Sequence, residues 1–553
     1  MSDLSPIKPI LLAQPSNNLG TPKRIPRSLQ SVLANLEPND NNPDNSYVGD
    51  KIKPGKNKIY LGQAASYPEI TTRYPFWLPV NLLSTHLFIG GAIGSGKTTV
   101  LLRLISGALK WYGTVIVGEA KGGINGGKEG AAFTDLADYL QQKFPNIICY
   151  RWPRGNCCFN PLQSLSNPQD RREFFAMIAQ VIVEHYQLDG ETSSVVYNAA
   201  TIAEYLLIYL QNFESEKIPT LRELVHLLCF PDKVKEKLKK ANESIKRQEN
   251  SLKSKYLQLL EDIEQQFNMA NFFYLNQPQL ILTRRGVQLF KDMLNHEDLL
   301  DYTEPRSDLK MLDLDDILYH RALVILSQPL SKSSSNIVGP LFLDNLLTRI
   351  LELGPNPQPQ DNKPREKILA ILDETHRLPV GTLGLAGDYL REFNVGLVEV
   401  APTIPDNQKR WEQNKHVYQT LLSLSPGIPT LTNLMRDRLP NLPISPTVTR
   451  HSPNASGISK LRVERREDYE LSLGEDNPGV ANRSLQMSGR FTGLLQSPEL
   501  QEERKLFWID FEDELLANIK TLLKDAIAPD ATPHARNLVD YALGLDEYKP
   551  PSS

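Results

Sequence analysis

The 553-residue chain lacks several features, and each lack excludes a class of protein. No apolar stretch reaches the roughly 18–20 residues that a membrane-crossing helix needs, so no intrinsic membrane segment is expected. Met1 to Asn18 has no apolar core of the kind a secretory signal requires. The four cysteines, Cys149, Cys157, Cys158 and Cys229, match no zinc spacing, and the adjacent pair is unlike a disulfide framework. They read as buried hydrophobes of a protein in a reducing cytoplasm. Net charge is only −4, so the chain as a whole does not attract nucleic acid and any such surface must be local. No Ser-His-Asp or Cys-His constellation and no His-Glu-x-x-His motif offers a second hydrolytic centre.

What remains is an ordinary globular composition, 40% hydrophobic and 23% charged, in a chain too long for one hydrophobic core. Residues 1–57 are rich in Pro, Asn, Asp and Ser, and they bury too little apolar surface to offset their ordering entropy, so disorder is expected there. Order is expected from the strand near Lys58–Gly62. A second strand over Phe76–Val80 leads into Leu87-Phe-Ile-Gly-Gly-Ala-Ile-Gly-Ser-Gly-Lys-Thr-Thr-Val100, in which Gly91 to Thr98 spell G-x-x-x-x-G-K-T. An apolar strand, a glycine-rich turn and a helix starting at a lysine and a hydroxyl aim backbone N–H groups at one point, which suits nucleotide phosphate. Gly91, Ala92, Ile93, Gly94, Ser95, Gly96, Lys97, Thr98 and Thr99 are therefore the expected ATP-binding residues. Lys97 would reach the β- and γ-phosphates, and the Thr98 hydroxyl would take one Mg²⁺ position.

Downstream, Gly113–Gly118 reads as a buried parallel strand, Phe133–Phe144 as a helix and Asn146–Trp152 as a strand, the alternation of a doubly wound α/β fold. From about 167 to 312 the pattern turns helical, including Arg171–Leu188 and Ser193–Phe213. Residues 232–265 read as one amphipathic helix or a hairpin of two. Their lysines, from Lys233 to Lys255, form a solvated polar face or a phosphate-backbone contact. Sheet character resumes at Ala322–Leu326, followed by a helix near Asn336–Leu353. The strand Ile368–Leu372 then ends in Asp373-Glu374, where Asp373 would hold Mg²⁺ and Glu374 would polarise the attacking water. A carboxylate at Glu374 favours ATP hydrolysis over a slow GTPase switch. Past Pro405, helices are expected at Asn407–Leu424 and Phe511–Ala526.

The order of these elements resembles the ATPase core of the FtsK–HerA superfamily. The carriers are Leu61-Gly62, His86 before the loop and Glu119-Ala-Lys-Gly122 after the second core strand. The turn Phe159-Asn-Pro-Leu162, the helical stretch after it, and Ile325–Leu330 with Gly339–Leu343 are similar to conjugative coupling proteins of the TraG/TraD type. The resemblance implies a RecA-like P-loop core with an inserted all-α domain. The expected divisions are 58–166 and 313–405 for the core, 167–312 for the insertion, 406–548 for an accessory region and 549–553 for a polar tail. It implies a homo-oligomeric ring, a hexamer, that hydrolyses ATP to move DNA, with secretion or DNA-processing proteins as partners. Arg391, in Tyr389–Gly396 ahead of the strand at Leu397–Thr403, stands where the family has an arginine. That residue either reaches a neighbour's γ-phosphate or is a plain surface residue. Lys121 faces the nucleotide or pore, or pairs with Glu119. Three departures from the family stand out: Glu119 replaces an aspartate, Pro402-Thr403 stands where a γ-phosphate-sensing glutamine is usual, and no N-terminal anchor is seen. A nucleotide-gated scaffold that translocates nothing, or a motor for protein substrates, would use the same site.

Overall fold

The computed structural model describes residues 57–66, 74–92, 94–119, 131–214, 218–247, 252–327, 337–355, 357–360, 364–373, 390–402, 415–424, 431, 434–435, 448–453, 459–464, 492–496, 506–510 and 519–545. The expectation of disorder over residues 1–57 lies outside these, apart from Asn57. In chain order the elements begin with β1 (Lys58–Ser66), β2 (Tyr74–Pro79), β3 (Leu87–Gly90), α1 (Lys97–Trp111), β4 (Gly113–Glu119), α2 (Ala131–Lys143), β5 (Ile148–Trp152) and β6 (Cys157–Cys158). Helices follow: α3 (Pro168–Tyr186), α4 (Gly190–Tyr209), α5 (Leu221–Cys229), α6 (Pro231–Lys246), α7 (Lys253–Met269), α8 (Ile281–Leu294) and α9 (Glu297–Leu300). Then come β7 (Lys310–Met311), α10 (Leu314–Tyr319), β8 (Ala322–Ser327), α11 (Val338–Leu353), β9 (Lys367–Asp373), β10 (Val395–Ala401) and β11 (Thr420–Leu424). The chain closes with β12 (Val448–Pro453), β13 (Ser459–Glu464), β14 (Thr492–Gln496), β15 (Leu506–Asp510), α12 (Ile519–Ile527) and α13 (Pro533–Ala542). The fold class is α/β, with the run of helices α3 to α9 set between β6 and β7.

Two compact units divide the chain. The first holds Met1–Gly113, Asp138–Lys143 and Gly396–Ser553. Its strands lie in the order β2-β1-β15-β14-β11-β3-β10. β3 pairs parallel with both β10 and β11, whereas β11, β14, β15, β1 and β2 continue antiparallel. Every residue of β3 is buried, as expected for a short apolar strand with partners on both sides. α1 is buried from Thr99 to Leu109, which explains an apolar helix with few polar interruptions. Midway along it the cation Arg103 is 1% exposed. Its Nε donates to Ala542 O at 2.9 Å and one terminal nitrogen donates to Leu61 O at 2.7 Å, beneath the Tyr60 ring. Lys110 Nζ donates to Leu545 O at 2.6 Å, so α1 is tied at two points to the end of α13. Asp540 on α13 accepts from Tyr139 Oη at 2.6 Å and pairs with Lys143 at 2.7 Å.

The second unit holds Thr114–Ala137 and Phe144–Val395. Its strands lie in the order β9-β4-β8-β5, and β8 pairs parallel with β4 and β5. Helices α3 to α9 carry an apolar core of their own, with Phe174, Phe175, Phe267, Phe272 and Phe290 fully buried. Caps set two of their starts: the Asn167 side chain accepts from Gln169 N ahead of Pro168, and Thr220 forms a capping box with Glu223. The basic 232–265 segment is a hairpin, with α6 ending at Lys246 and α7 starting at Lys253.

One expected helix is corrected. Of Asn407–Leu424, residues 407–414 lie outside the described residues, and Thr420–Leu424 is the strand β11, buried throughout. Pairing with β3 on one side and β14 on the other outweighs the helix preference of its leucines. The other expected helix begins at Ile519 in the structure, with 511–518 outside the described residues.

Arg103→Met keeps the apolar stem of the side chain but strands two buried carbonyls. The cost should be about 3 kcal/mol, since each lost partner leaves a desolvated acceptor. A lower thermal midpoint, together with faster proteolysis between Ile519 and Leu545, is the expected readout.

Candidate phosphate-binding site

The site is built where β3 ends. Gly91 N donates to Ala401 O of β10 at 3.2 Å, which fixes the exit of the strand. A Cβ on Gly91 would stand 2.6 Å from Ser95 Oγ and 2.8 Å from Leu424 Cβ, so only glycine fits between the turn and β11. The chain then closes on itself through Ser95 N to Ala92 O at 3.2 Å. Gly94 and Gly96 take φ of +84° and +93°, the left-handed region that glycine enters without strain. Gly96 is the N-cap of α1, and it has no side chain to occupy the first free N–H groups of the helix. Those groups and the positive end of a 15-residue helix are left to an anion.

Lys97 is the first residue of α1 and is buried at 7% exposure. Its Nζ donates to Gly91 O at 2.6 Å and to Ala92 O at 3.0 Å, so the ammonium curls back into the mouth of its own loop. Thr98 is half-buried and Thr99 buried. Ser95 is 1% exposed, and its Oγ has no hydrogen-bond partner among the described residues. An orphaned buried hydroxyl costs about 1–3 kcal/mol, so a ligand acceptor at this point would relieve a standing penalty. A glycine-lined turn, an uncapped helix end, a buried ammonium and an unpartnered hydroxyl together fit a polyphosphate. Of the expected binding residues, Gly91, Ala92, Gly94, Ser95, Gly96, Lys97, Thr98 and Thr99 share this turn, and Ile93 lies outside the described residues.

The remaining expected residues are placed separately. Asp373 is the last residue of β9 and is 4% exposed. Glu374, Lys121 and Thr403 lie outside the described residues. Arg391 is exposed in the turn ahead of β10, where its carbonyl accepts from Asn394 N at 3.1 Å. Pro402 directly follows β10. Asn160, singled out in the Asn-Pro-Leu turn, is structural. Its buried Nδ2 donates to Pro219 O at 2.9 Å and its Oδ1 accepts from Leu162 N, which fastens the start of the helical insertion. Burial pushes the Cys157 thiol up to about 12, so it stays protonated and is no nucleophile.

Two residues near the loop have roles that the sequence does not specify, although His86 belongs to the motifs that carry the family resemblance. His86 adopts φ of +61° just before β3, and its Nδ1 accepts from Leu397 N of β10 at 3.0 Å. Ser423, in register with Gly90, is fully buried, and its Oγ has no hydrogen-bond partner among the described residues. Both depend on which strands flank β3, and strand order is invisible to local patterning.

No family model and no curated protein matches the chain. Among solved structures it is similar to the plasmid coupling protein TrwB in complex with ADP and Mg²⁺, at 14% identity and a TM-score of 0.47, over 79% of this chain and 87% of that one. It is also similar to VirB4 of Thermoanaerobacter pseudethanolicus, at 13% identity and a TM-score of 0.41, over 84% of this chain and 98% of that one.

Gly91→Ala should weaken ATP binding about tenfold or more, because overpacking of about 1–3 kcal/mol falls on the ligand-bearing turn. Titration with a fluorescent ATP analogue reads the change, and an unaltered affinity would mean that the turn does not hold the phosphates.

Proposed function

We propose that this chain is a Mg²⁺-dependent ATPase and that it works as a DNA-translocating motor of the conjugative coupling type. The observation that carries the nucleotide reading is Lys97, a buried ammonium held by the carbonyls of the loop it would share with a phosphate. In this reading Lys97 leaves Gly91 O and Ala92 O for the β- and γ-phosphate oxygens, and the N–H groups of Gly94 to Thr98 take the β-phosphate. Thr98 Oγ1 and the Asp373 carboxylate hold Mg²⁺, which when bound neutralises charge on the triphosphate. Glu374 accepts the proton of the attacking water, and Arg391 reaches the γ-phosphate of a neighbour in a homo-oligomeric ring, a hexamer.

The motor reading rests on the sequence motifs: the phosphate loop, the Asp373-Glu374 strand end, and the helical insertion opened by Asn160-Pro-Leu162. One observation favours the scaffold instead. β10 is followed by Pro402, a residue with neither donor nor acceptor on its side chain to sense a γ-phosphate. No described helix is long and apolar enough to cross a membrane.

Lys97→Ala should abolish ATP turnover. Glu374→Gln should keep ATP binding and lose turnover by about 10²–10⁴-fold, the usual contribution of a positioned general base. For the motor, ATPase rate should rise on adding DNA, and the stimulation should fall steeply with salt because phosphate contacts release counterions. ATP turnover that ignores single- and double-stranded DNA at every salt concentration would favour the scaffold.

A further inference from the structure

Nine large apolar side chains are substantially exposed among the described residues, and four of them fall within fourteen residues: Met269, Tyr274, Ile281 and Leu282. Met269 ends α7, while Ile281 and Leu282 open α8. Tyr274 closes a 3₁₀ turn between them (Phe272–Tyr274), and a second turn follows at Pro278–Leu280. This tip of the helical insertion is firmly built. Tyr274 N donates to Asn271 O, Gln277 N to Tyr274 O and Leu280 N to Gln277 O, while Arg284 Nε donates to Leu275 O at 2.9 Å. Phe272 is fully buried against Phe267 beneath it. The four side chains are therefore presented by an ordered scaffold, and Met269 and Ile281 are 67% and 64% exposed.

Along the tip's own sequence charge is one-sided. From Gln265 to Lys291 there is no aspartate or glutamate, although acids make up 65 of 553 residues and about three would be expected over that length. Arg284, Arg285 and Lys291 lie in this stretch. Lys235 of α6 adds its ammonium 5.7 Å from the Phe273 ring and 5.9 Å from the Tyr274 ring. Neither Lys235 nor Arg285 forms an ion pair among the described residues.

We propose that this tip docks on the surface of a bilayer containing anionic lipid. Ile281, Leu282, Met269 and Tyr274 enter the boundary between headgroups and acyl chains, and Lys235, Arg284 and Arg285 face the lipid phosphates. Nucleic acid would match the cations but leave three aliphatic side chains in water. A folded protein would need holes shaped for side chains that stand this far out, whereas a fluid bilayer yields around them. Tyrosine suits the interface, with an apolar ring and a wet hydroxyl. The inference is independent of the ATPase reading.

The test is flotation of the full chain with vesicles of phosphatidylcholine alone and of phosphatidylcholine mixed with phosphatidylglycerol, at low and high salt. Binding to the mixed vesicles is expected, weakened by salt. Ile281→Asp with Leu282→Asp should lower the partition coefficient by about tenfold or more. Lys235→Glu with Arg285→Glu should remove the preference for the anionic vesicles. Circular dichroism and ATP turnover of both variants should match the parent, and Lys97→Ala should still float. Failure of the parent to bind mixed vesicles would overturn the proposal. So would a folded Ile281→Asp, Leu282→Asp variant that binds them as well as the parent, or one that changes only its oligomeric mass in solution.

Discussion

The contact of the Lys97 ammonium with the carbonyl oxygens of Gly91 and Ala92 sets the terms for the rest of the first unit. A buried lysine is tolerated only where fixed dipoles replace its water, and the loop supplies them from its own backbone. The loop in turn holds its shape because Gly91 is wedged between Ser95 and Leu424 and is tied to Ala401. β11 and β10 must therefore flank β3, and α1 must leave at a fixed angle. Arg103 and Lys110 hold that angle by binding Ala542 O at the end of α13 and Leu545 O just after it. A residue more than four hundred positions away thus helps to set the direction of the helix that would face the phosphates.

Much of this was legible in the sequence, because local chemistry demands it. G-x-x-x-x-G-K-T after an apolar strand specifies the turn and the helix start, and the structure places Lys97 at that start. The β-branched run in Gly113–Gly118 marks a buried parallel strand and the apolar Ala322–Leu326 marks sheet, and in the structure they are the parallel pair β4 and β8. The strand β11 was not legible. Its Leu421, Leu422 and Leu424 suit a helix as well as a strand, and only the neighbours β3 and β14 decide between them. Ser423 is silent in the sequence for the same reason, since a serine acquires meaning only when the sheet buries its hydroxyl beside Gly90.

The helical insertion shows how a motif can mark architecture instead of chemistry. Asn160 belongs to an Asn-Pro-Leu turn, and its side chain uses its hydrogen bonds on Pro219 and Leu162. By its charges alone the lysine-rich hairpin is a solvated face or a phosphate contact. Exposure adds what charge could not: the acid-free tip between α7 and α8 carries four of the nine exposed large apolar side chains among the described residues. Cations and apolar side chains on one ordered tip describe a different surface from a lysine run by itself.

The account turns on whether the Gly91–Thr98 turn takes a triphosphate. Calorimetric titration of the full chain with ATP in the presence of Mg²⁺ addresses that directly. One saturable site per chain, lost when Lys97 is replaced by alanine in a variant with an unchanged melting curve, is the predicted result. No saturable binding at millimolar nucleotide, or equal binding by the alanine variant, would contradict it.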